Sequence, residues 1–95
     1  MINLENKVVL ITGGSRGIGA ACVKLFCQAN AKVIFTFKND VNAAAKLVNQ
    51  IEENSPFGIR MSLDSEANIK LITQRLIKEF KRIDILINNA GIWKF

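Results

Sequence analysis

The segment from Thr12 to Gly19 constrains the fold of this chain more than any other stretch. It reads Thr-Gly-Gly-Ser-Arg-Gly-Ile-Gly and lies between an apolar, β-branched run over residues 7–12 and a helical pattern. This order predicts a strand, a glycine turn and a helix. The first N–H groups of a helix have no partner within it and carry partial positive charge, so an anion can accept hydrogen bonds from them. The segment therefore predicts a turn that can hold a phosphate.

Each of the three spaced glycines has an expected task in such a turn. Gly13 allows the chain to leave the strand, because glycine tolerates positive φ. Gly17 lets the backbone approach phosphates, and Gly19 lets the helix pack closely on the sheet. A glycine-rich turn without a ligand is the alternative interpretation.

The spacing Gly-x-x-x-Gly-x-Gly differs from the Gly-x-Gly-x-x-Gly fingerprint, and no Gly-Lys-Ser/Thr closes it as in a P-loop. It resembles the first turn of the short-chain dehydrogenase/reductase family, Thr-Gly-x-x-x-Gly-x-Gly. The resemblance implies that the turn binds a nicotinamide dinucleotide. The implied cofactor-binding residues here are Gly13, Gly14, Ser15, Arg16, Gly17, Ile18 and Gly19.

Apolar runs and helical patterns alternate along the whole chain, in the order βαβαβαβ. Strands are predicted over residues 7–12, 32–37, 58–63 and 84–88, and the first helix over 17–30. Helical crossovers require parallel strands and right-handed connections. The chain is therefore predicted to form an α/β, doubly wound parallel sheet of the Rossmann type with strand order 3-2-1-4. We expect a ligand at the carboxyl edge, between the first and fourth strands.

Apolar residues at helical spacing predict the buried face of each helix. Asn39 or Asp40 is expected to cap the second helix, and Asp64 or Ser65 the third. The predicted buried faces are Ile18, Ala21, Cys22, Leu25, Phe26 and Ala29 for the first helix; Val41, Ala44, Ala45, Val48 and Ile51 for the second; and Ile69, Ile72, Leu76, Ile77 and Phe80 for the third.

The end of the second strand bears on which nicotinamide cofactor is preferred. A carboxylate there would bind the ribose hydroxyls of NAD(H) and repel a 2′-phosphate. Here Phe37 is followed by Lys38, and Arg16 in the glycine turn can reach the same region. Two cations without a carboxylate favour a 2′-phosphate, so we predict a preference for NADP(H) over NAD(H). The alternative is that Lys38 is an ordinary solvated strand end.

The ends of the third and fourth strands carry the remaining implied site residues. In the family an acidic residue followed by an aliphatic one lies over the adenine; here Ser62 and Leu63 stand in those places, and Asp64 comes two positions late. The fourth strand ends in Asn88-Asn89-Ala90-Gly91, which resembles the family's Asn-Asn-Ala-Gly motif. The resemblance implies that Asn89, Ala90 and Gly91 lie near the cofactor. Asn88 and Asn89 are expected to tie neighbouring strand ends together.

The family's catalytic Ser, Tyr and Lys match no position of this chain, which has no tyrosine. We therefore assign no catalytic residue, and interpret residues 1–95 as the N-terminal part of a dinucleotide-binding domain, seen as a fragment or truncated product. Within the family it looks most like a 3-oxoacyl-(acyl carrier protein) reductase. The alternative is a non-catalytic nucleotide-binding or interaction module.

Composition adds several expectations. The net charge of +5 is scattered and no nucleic-acid-binding motif occurs, so we expect no nucleic acid partner. Cys22 and Cys27 have neither metal nor redox spacing and are expected to be packing residues, with no metal bound. No apolar run is long enough to span a membrane, which favours a cytoplasmic protein. The apolar fourth strand would be an edge strand, and we expect self-association through it.

Overall fold

Three helices and four strands alternate in the computed structural model, which describes residues 2–61 and 66–89. The elements are β1 (Val8–Thr12), α1 (Gly17–Gln28), β2 (Lys32–Phe37), α2 (Val41–Gln50), β3 (Phe57–Arg60), α3 (Glu66–Phe80) and β4 (Ile85–Asn88). The predicted order of elements is confirmed.

The four strands form one parallel sheet in the order β3-β2-β1-β4, as predicted. Thr12, the last residue of β1, pairs with Asn88, the last residue of β4. Phe37 at the end of β2 pairs with Arg60 at the end of β3. The carboxyl ends of all four strands therefore meet at one edge of the sheet. The glycine turn leaves β1 at this edge.

The core has two faces because helices cover both sides of the sheet. Val9, Ile11 and Phe35 pack with residues of α1 and α2 on one face. Leu10 and Ile34 pack with Leu76 of α3 on the other. Every residue of β1 is buried, as expected of a central strand in a doubly wound sheet.

The predicted buried face of α1 is wrong by a rotation about the helix axis. Ile18 and Leu25 are 75% and 64% exposed, whereas Gly19, Val23 and Cys27 are buried at i, i+4 and i+8. Cys22, Phe26 and Ala29 are partly buried and Ala21 is exposed. The rotation is set by close backbone contact at Gly19, and a glycine contributes nothing to a hydrophobic pattern. The helix ends before Asn30, whose φ of 70° cannot continue it.

The other two helices match their predicted faces only in part. In α2 the buried residues are Ala44 and Leu47, while Val41 is 51% exposed and Ala45 is also exposed. The residues that pack on the core follow i, i+3, i+4, i+7 spacing, and they are Ala44, Leu47, Val48 and Ile51. This pattern starts at Ala44, about one turn after the helix begins. In α3 Leu76 is buried and Ile72 and Phe80 pack beside it, but Ile77 is 45% exposed.

Three of the four strands also differ from their predicted bounds, and the first begins at Val8 rather than at residue 7. The third strand begins one residue early, at Phe57, and ends at Arg60, and residues 62–65 lie outside the described part of the chain. The fourth begins at Ile85 because Asp84 contacts β1 partly through its side chain. The Val8 N–H donates to Asp84 Oδ2 at 2.8 Å, and the Asp84 N–H donates to the Val8 carbonyl at 2.9 Å.

Candidate functional site

The glycine turn presents an uncapped helix end at the carboxyl edge of the sheet. Gly13 and Gly17 have φ of 67° and 58°, values that favour glycine. Arg16 occupies the N-cap position of α1, and its side chain makes no capping hydrogen bond. By contrast, the carboxylate of Asp40 caps α2 by accepting from the Ala43 N–H at 2.9 Å. Of these two helix ends, the N-terminus of α1 is therefore the one that can offer N–H groups to an anion.

Space beside Gly17 is open, and space beside Gly19 is filled. A Cβ atom at Gly17 would meet nothing within 4 Å. A Cβ atom at Gly19 would lie 2.1 Å from the Gly13 carbonyl oxygen and 2.6 Å from Nδ2 of Asn89. The sequence predicts that Gly19 packs on the sheet; in the structure it packs on the turn that precedes its own helix and on Asn89, which follows β4. The open space beside Gly17 is compatible with close approach of a ligand to its backbone, which stays a prediction.

Gly14 is the glycine that packs against the sheet. It is buried, and a Cβ atom there would lie 2.5 Å from Cβ of Phe35 and 3.1 Å from Cγ2 of Val23. Its N–H donates to the Thr36 carbonyl at 3.0 Å, so this amide is used by the fold. Ser15 is partly buried, and Ile18 is exposed beside the open face of the turn.

Thr36 of β2, which is not among the residues predicted from the sequence, fixes the turn in place. Its hydroxyl oxygen accepts from the Gly13 N–H at 3.1 Å, next to the bond that Gly14 makes to its carbonyl. The side chain is 2% exposed. A hydroxyl within an otherwise apolar buried strand was the available signal, because a buried polar group needs a partner.

Asn88 and Asn89 tie the end of β4 to the end of β1 and to the glycine turn. The Thr12 hydroxyl accepts from the Asn89 N–H at 2.9 Å and donates to Oδ1 of Asn88 at 3.0 Å. Nδ2 of Asn89 donates to the Gly13 carbonyl at 3.3 Å. The expectation that this pair of asparagines holds neighbouring strand ends together is confirmed.

Charged side chains gather at the end of β2. Lys38 is exposed, and its carbonyl accepts from Nε of Arg60 at 3.0 Å. Arg16 is 77% exposed, with its Nε 3.9 Å from Oδ2 of Asp40. The expectation of two cations without a carboxylate is therefore wrong: a third cation, Arg60, and one carboxylate, Asp40, belong to this corner. The pairing of β3 with β2 places Arg60 at this corner and could have indicated it. For Asp40 the sequence predicts only that it is one of two candidate caps of the second helix.

Four implied site residues, Ser62, Leu63, Ala90 and Gly91, lie outside the described residues, as do the candidate caps Asp64 and Ser65.

In residues 2–61 and 66–89 there is no group of metal-ligating side chains. No helix within those same ranges is both long and apolar enough to cross a membrane. Both cysteines are free thiols, and burial raises the pKa of Cys27 to about 11.

Comparison with known proteins agrees with this geometry. Residues 7–95 match the short chain dehydrogenase family model. The chain is 38% identical over 91 residues to a 3-oxoacyl-(acyl-carrier-protein) reductase of Vibrio cholerae, covering 96% of this chain and 36% of the relative. It is 39% identical over 95 residues to the versicolorin reductase of Emericella nidulans, covering 97% of this chain and 36% of that protein.

Solved structures give the same result. A short chain dehydrogenase of Burkholderia cenocepacia in complex with NADP superimposes with a TM-score of 0.84 at 34% identity, covering 97% of this chain and 38% of that one. A dehydrogenase/reductase of Sinorhizobium meliloti gives a TM-score of 0.82 at 33% identity, covering 96% of this chain and 37% of the other. The chain thus spans little more than a third of the length of these relatives. Since the family model covers nearly every residue, the chain belongs to the short-chain dehydrogenase family of oxidoreductases.

Proposed function

We propose that residues 1–95 form the N-terminal, NADP(H)-binding part of an oxidoreductase that interconverts a carbonyl and a hydroxyl group. The observation that carries this proposal is the uncapped N-terminus of α1 beside three cationic side chains, Arg16, Lys38 and Arg60. The N-terminus of α1 can hold a pyrophosphate, and the cationic side chains can hold a further phosphate. Both lie at the carboxyl edge of the sheet, where doubly wound folds bind dinucleotides.

The residues of this chain fit such a cofactor. The open space at Gly17 and its positive φ leave backbone N–H groups accessible at the start of α1. The chemistry supplied by a bound nicotinamide ring is hydride transfer. The chain's own groups bind and orient: N–H groups of α1 hold phosphate oxygens, and Asn89 fixes the floor beside the turn. The proposed binding set is Gly13, Gly14, Ser15, Arg16, Gly17, Ile18, Gly19, Lys38, Ser62, Leu63, Asn89, Ala90 and Gly91.

The preference for NADP(H) follows from charge. A 2′-phosphate is a strong acceptor that guanidinium and ammonium groups bind through charge-assisted hydrogen bonds. Arg16 and Lys38 are both exposed at the end of β2, where such a group would lie in this fold. That the Burkholderia cenocepacia relative is a complex with NADP supports the same assignment.

The substrate class we propose is a 3-oxoacyl thioester, because the Vibrio cholerae and Escherichia coli relatives are 3-oxoacyl-(acyl-carrier-protein) reductases. An acid must protonate the carbonyl oxygen as hydride arrives, and this chain contains neither tyrosine nor histidine to do so. No residue of this sequence is assigned that role. We also propose that the protein is cytoplasmic.

Calorimetric titration of the purified protein with NADPH and NADH tests the cofactor assignment. We expect saturable binding of both, tighter for NADPH, and a smaller ratio of the two affinities in the double variant R16A/K38A. The double variant R75A/K78A is the matched control, since it removes two charges from exposed positions of α3. Absence of dinucleotide binding, or an NADPH-to-NADH ratio that R16A/K38A leaves unchanged, would contradict the proposal.

The free edge of β4 is proposed to drive self-association of the isolated chain. In the described residues β4 pairs only with β1, and Leu86 is 61% exposed. An unpaired apolar edge can add a strand from another molecule. Sedimentation velocity should show dimers or larger species that Leu86→Lys reduces. A monomer at all accessible concentrations would contradict this.

A further inference from the structure

One carboxylate lies among the cations at the end of β2, and its two oxygens have different environments. Oδ1 of Asp40 accepts from the Ala43 N–H at 2.9 Å and so caps α2. Oδ2 lies 3.9 Å from Nε of Arg16. The cap holds the carboxylate at the start of α2, whichever conformation the exposed Arg16 side chain adopts. A negative charge is therefore fixed at the corner proposed to receive a 2′-phosphate.

The ion pair with Arg16 is too exposed to matter greatly for stability. The Arg16 side chain is 77% exposed and that of Asp40 is 40% exposed, so water and salt screen their attraction. The ion pair matters instead for cofactor binding. A 2′-phosphate near Arg16 must displace or share the guanidinium that Asp40 attracts, and it must also approach a like charge. Lys38 and Arg60, the other charges of the corner, oppose this repulsion.

We infer that Asp40 is a specificity-determining residue, which weakens the preference for NADP(H) by competing for Arg16 and by repelling the 2′-phosphate. This inference rests on the proposed function. NAD(H) lacks the 2′-phosphate and is not subject to the repulsion. The cofactor preference is thus a balance between the three cations and Asp40, rather than the result of cations alone.

The substitution Asp40→Asn isolates the charge from the cap. Asparagine has nearly the same shape and can keep the capping acceptor, so α2 should form as before. We expect NADPH affinity to increase about threefold at 0.15 M salt, and more at lower salt, because Coulomb repulsion is screened over roughly 8 Å. NADH affinity should stay the same. Asp40→Ala, which loses the cap too, should lower the melting temperature, whereas Asp40→Asn should not.

Glu53→Gln is the matched control. It removes the same charge beyond the far end of α2, about 15 Å from the cap at 1.5 Å per helical residue, and Glu53 is exposed. Its NADPH-to-NADH ratio should equal that of the wild type. If the wild type binds NADPH and Asp40→Asn leaves the ratio unchanged, or Glu53→Gln raises it equally, the inference about Asp40 fails and the proposed function stands. If the wild type binds neither dinucleotide, the proposed function fails and the inference falls with it.

Discussion

Gly19→Ala is the substitution that tests most severely how the site is built. The added Cβ would lie 2.1 Å from the Gly13 carbonyl oxygen, a backbone atom that cannot rotate away. A carbon–oxygen contact needs roughly 3 Å, so α1 and the glycine turn must separate by about 1 Å. The added Cβ would also lie 2.6 Å from Nδ2 of Asn89 and push it away from its 3.3 Å hydrogen bond to the same carbonyl.

The expected loss of stability combines three terms. Overpacking costs about 1–3 kcal/mol. The broken hydrogen bond adds about 1 kcal/mol. Replacing a helical glycine by alanine returns up to about 1 kcal/mol. Taken at the middle of each range, the net destabilisation is about 2–3 kcal/mol, which in a chain of this size lowers the melting temperature by roughly 10–20 °C.

Urea denaturation followed by circular dichroism measures this loss, and Gly17→Ala is its matched comparison. At Gly17 a Cβ atom meets nothing within 4 Å, so only the positive φ of 58° is penalised. That penalty is about 1–2 kcal/mol. Gly17→Ala should instead weaken NADPH binding more than tenfold, because the methyl group fills the open space at the turn. If Gly19→Ala is as stable as Gly17→Ala, the close packing of α1 on its own turn is refuted.

Three further perturbations test other parts of the account. Thr36→Val removes the acceptor of a buried turn amide and should cost about 1–3 kcal/mol in urea denaturation, whereas an unchanged midpoint would show that this bond does not hold the turn. In thiol labelling at pH 8, Cys22 should react first, because Cys27 is buried with a pKa of about 11 and is about one part in a thousand thiolate; equal rates would refute this. Two hydrogen bonds lower the pKa of Asp84, the larger effect coming from Arg82 and the next from the Val8 N–H. The ionised Asp84 therefore stabilises the fold fully above the ordinary carboxyl pKa of ~3.9, and this stabilisation is lost as pH falls through the lowered pKa. Asp84→Asn should thus be less stable than wild type at neutral pH, with a difference that shrinks in acid denaturation; a constant difference would refute the linkage.

The order of elements and the strand order could be predicted because both follow from local patterns. The runs over 7–12 and 32–37 are apolar and β-branched, and each is followed by a helical pattern of sufficient length to cross the sheet. Parallel pairing and right-handed crossovers then leave few arrangements. The glycine turn and Asn88-Asn89 could be recognised for the same reason, since each motif is contiguous in sequence and lies at a strand end.

The features that could not be predicted depend on contacts through space. The rotation of α1 is set by the contact of Gly19 with the Gly13 carbonyl, so the larger Ile18 and Leu25 are left exposed. Asp40 reaches Arg16 only because α2 begins beside the glycine turn. Neither contact leaves a periodic signal in the sequence.

The most direct test of the central claim is to record ¹H–¹⁵N spectra of the protein during titration with NADPH. We expect the largest shifts at the backbone amides of Gly17, Ile18 and Gly19, with smaller ones at Lys38 and Asn89. The amides at the opposite end of the sheet, such as those of Asn54 and Ser55, should stay in place. Saturable shifts confined to that opposite end, or none at the start of α1, would contradict the assignment of the dinucleotide site.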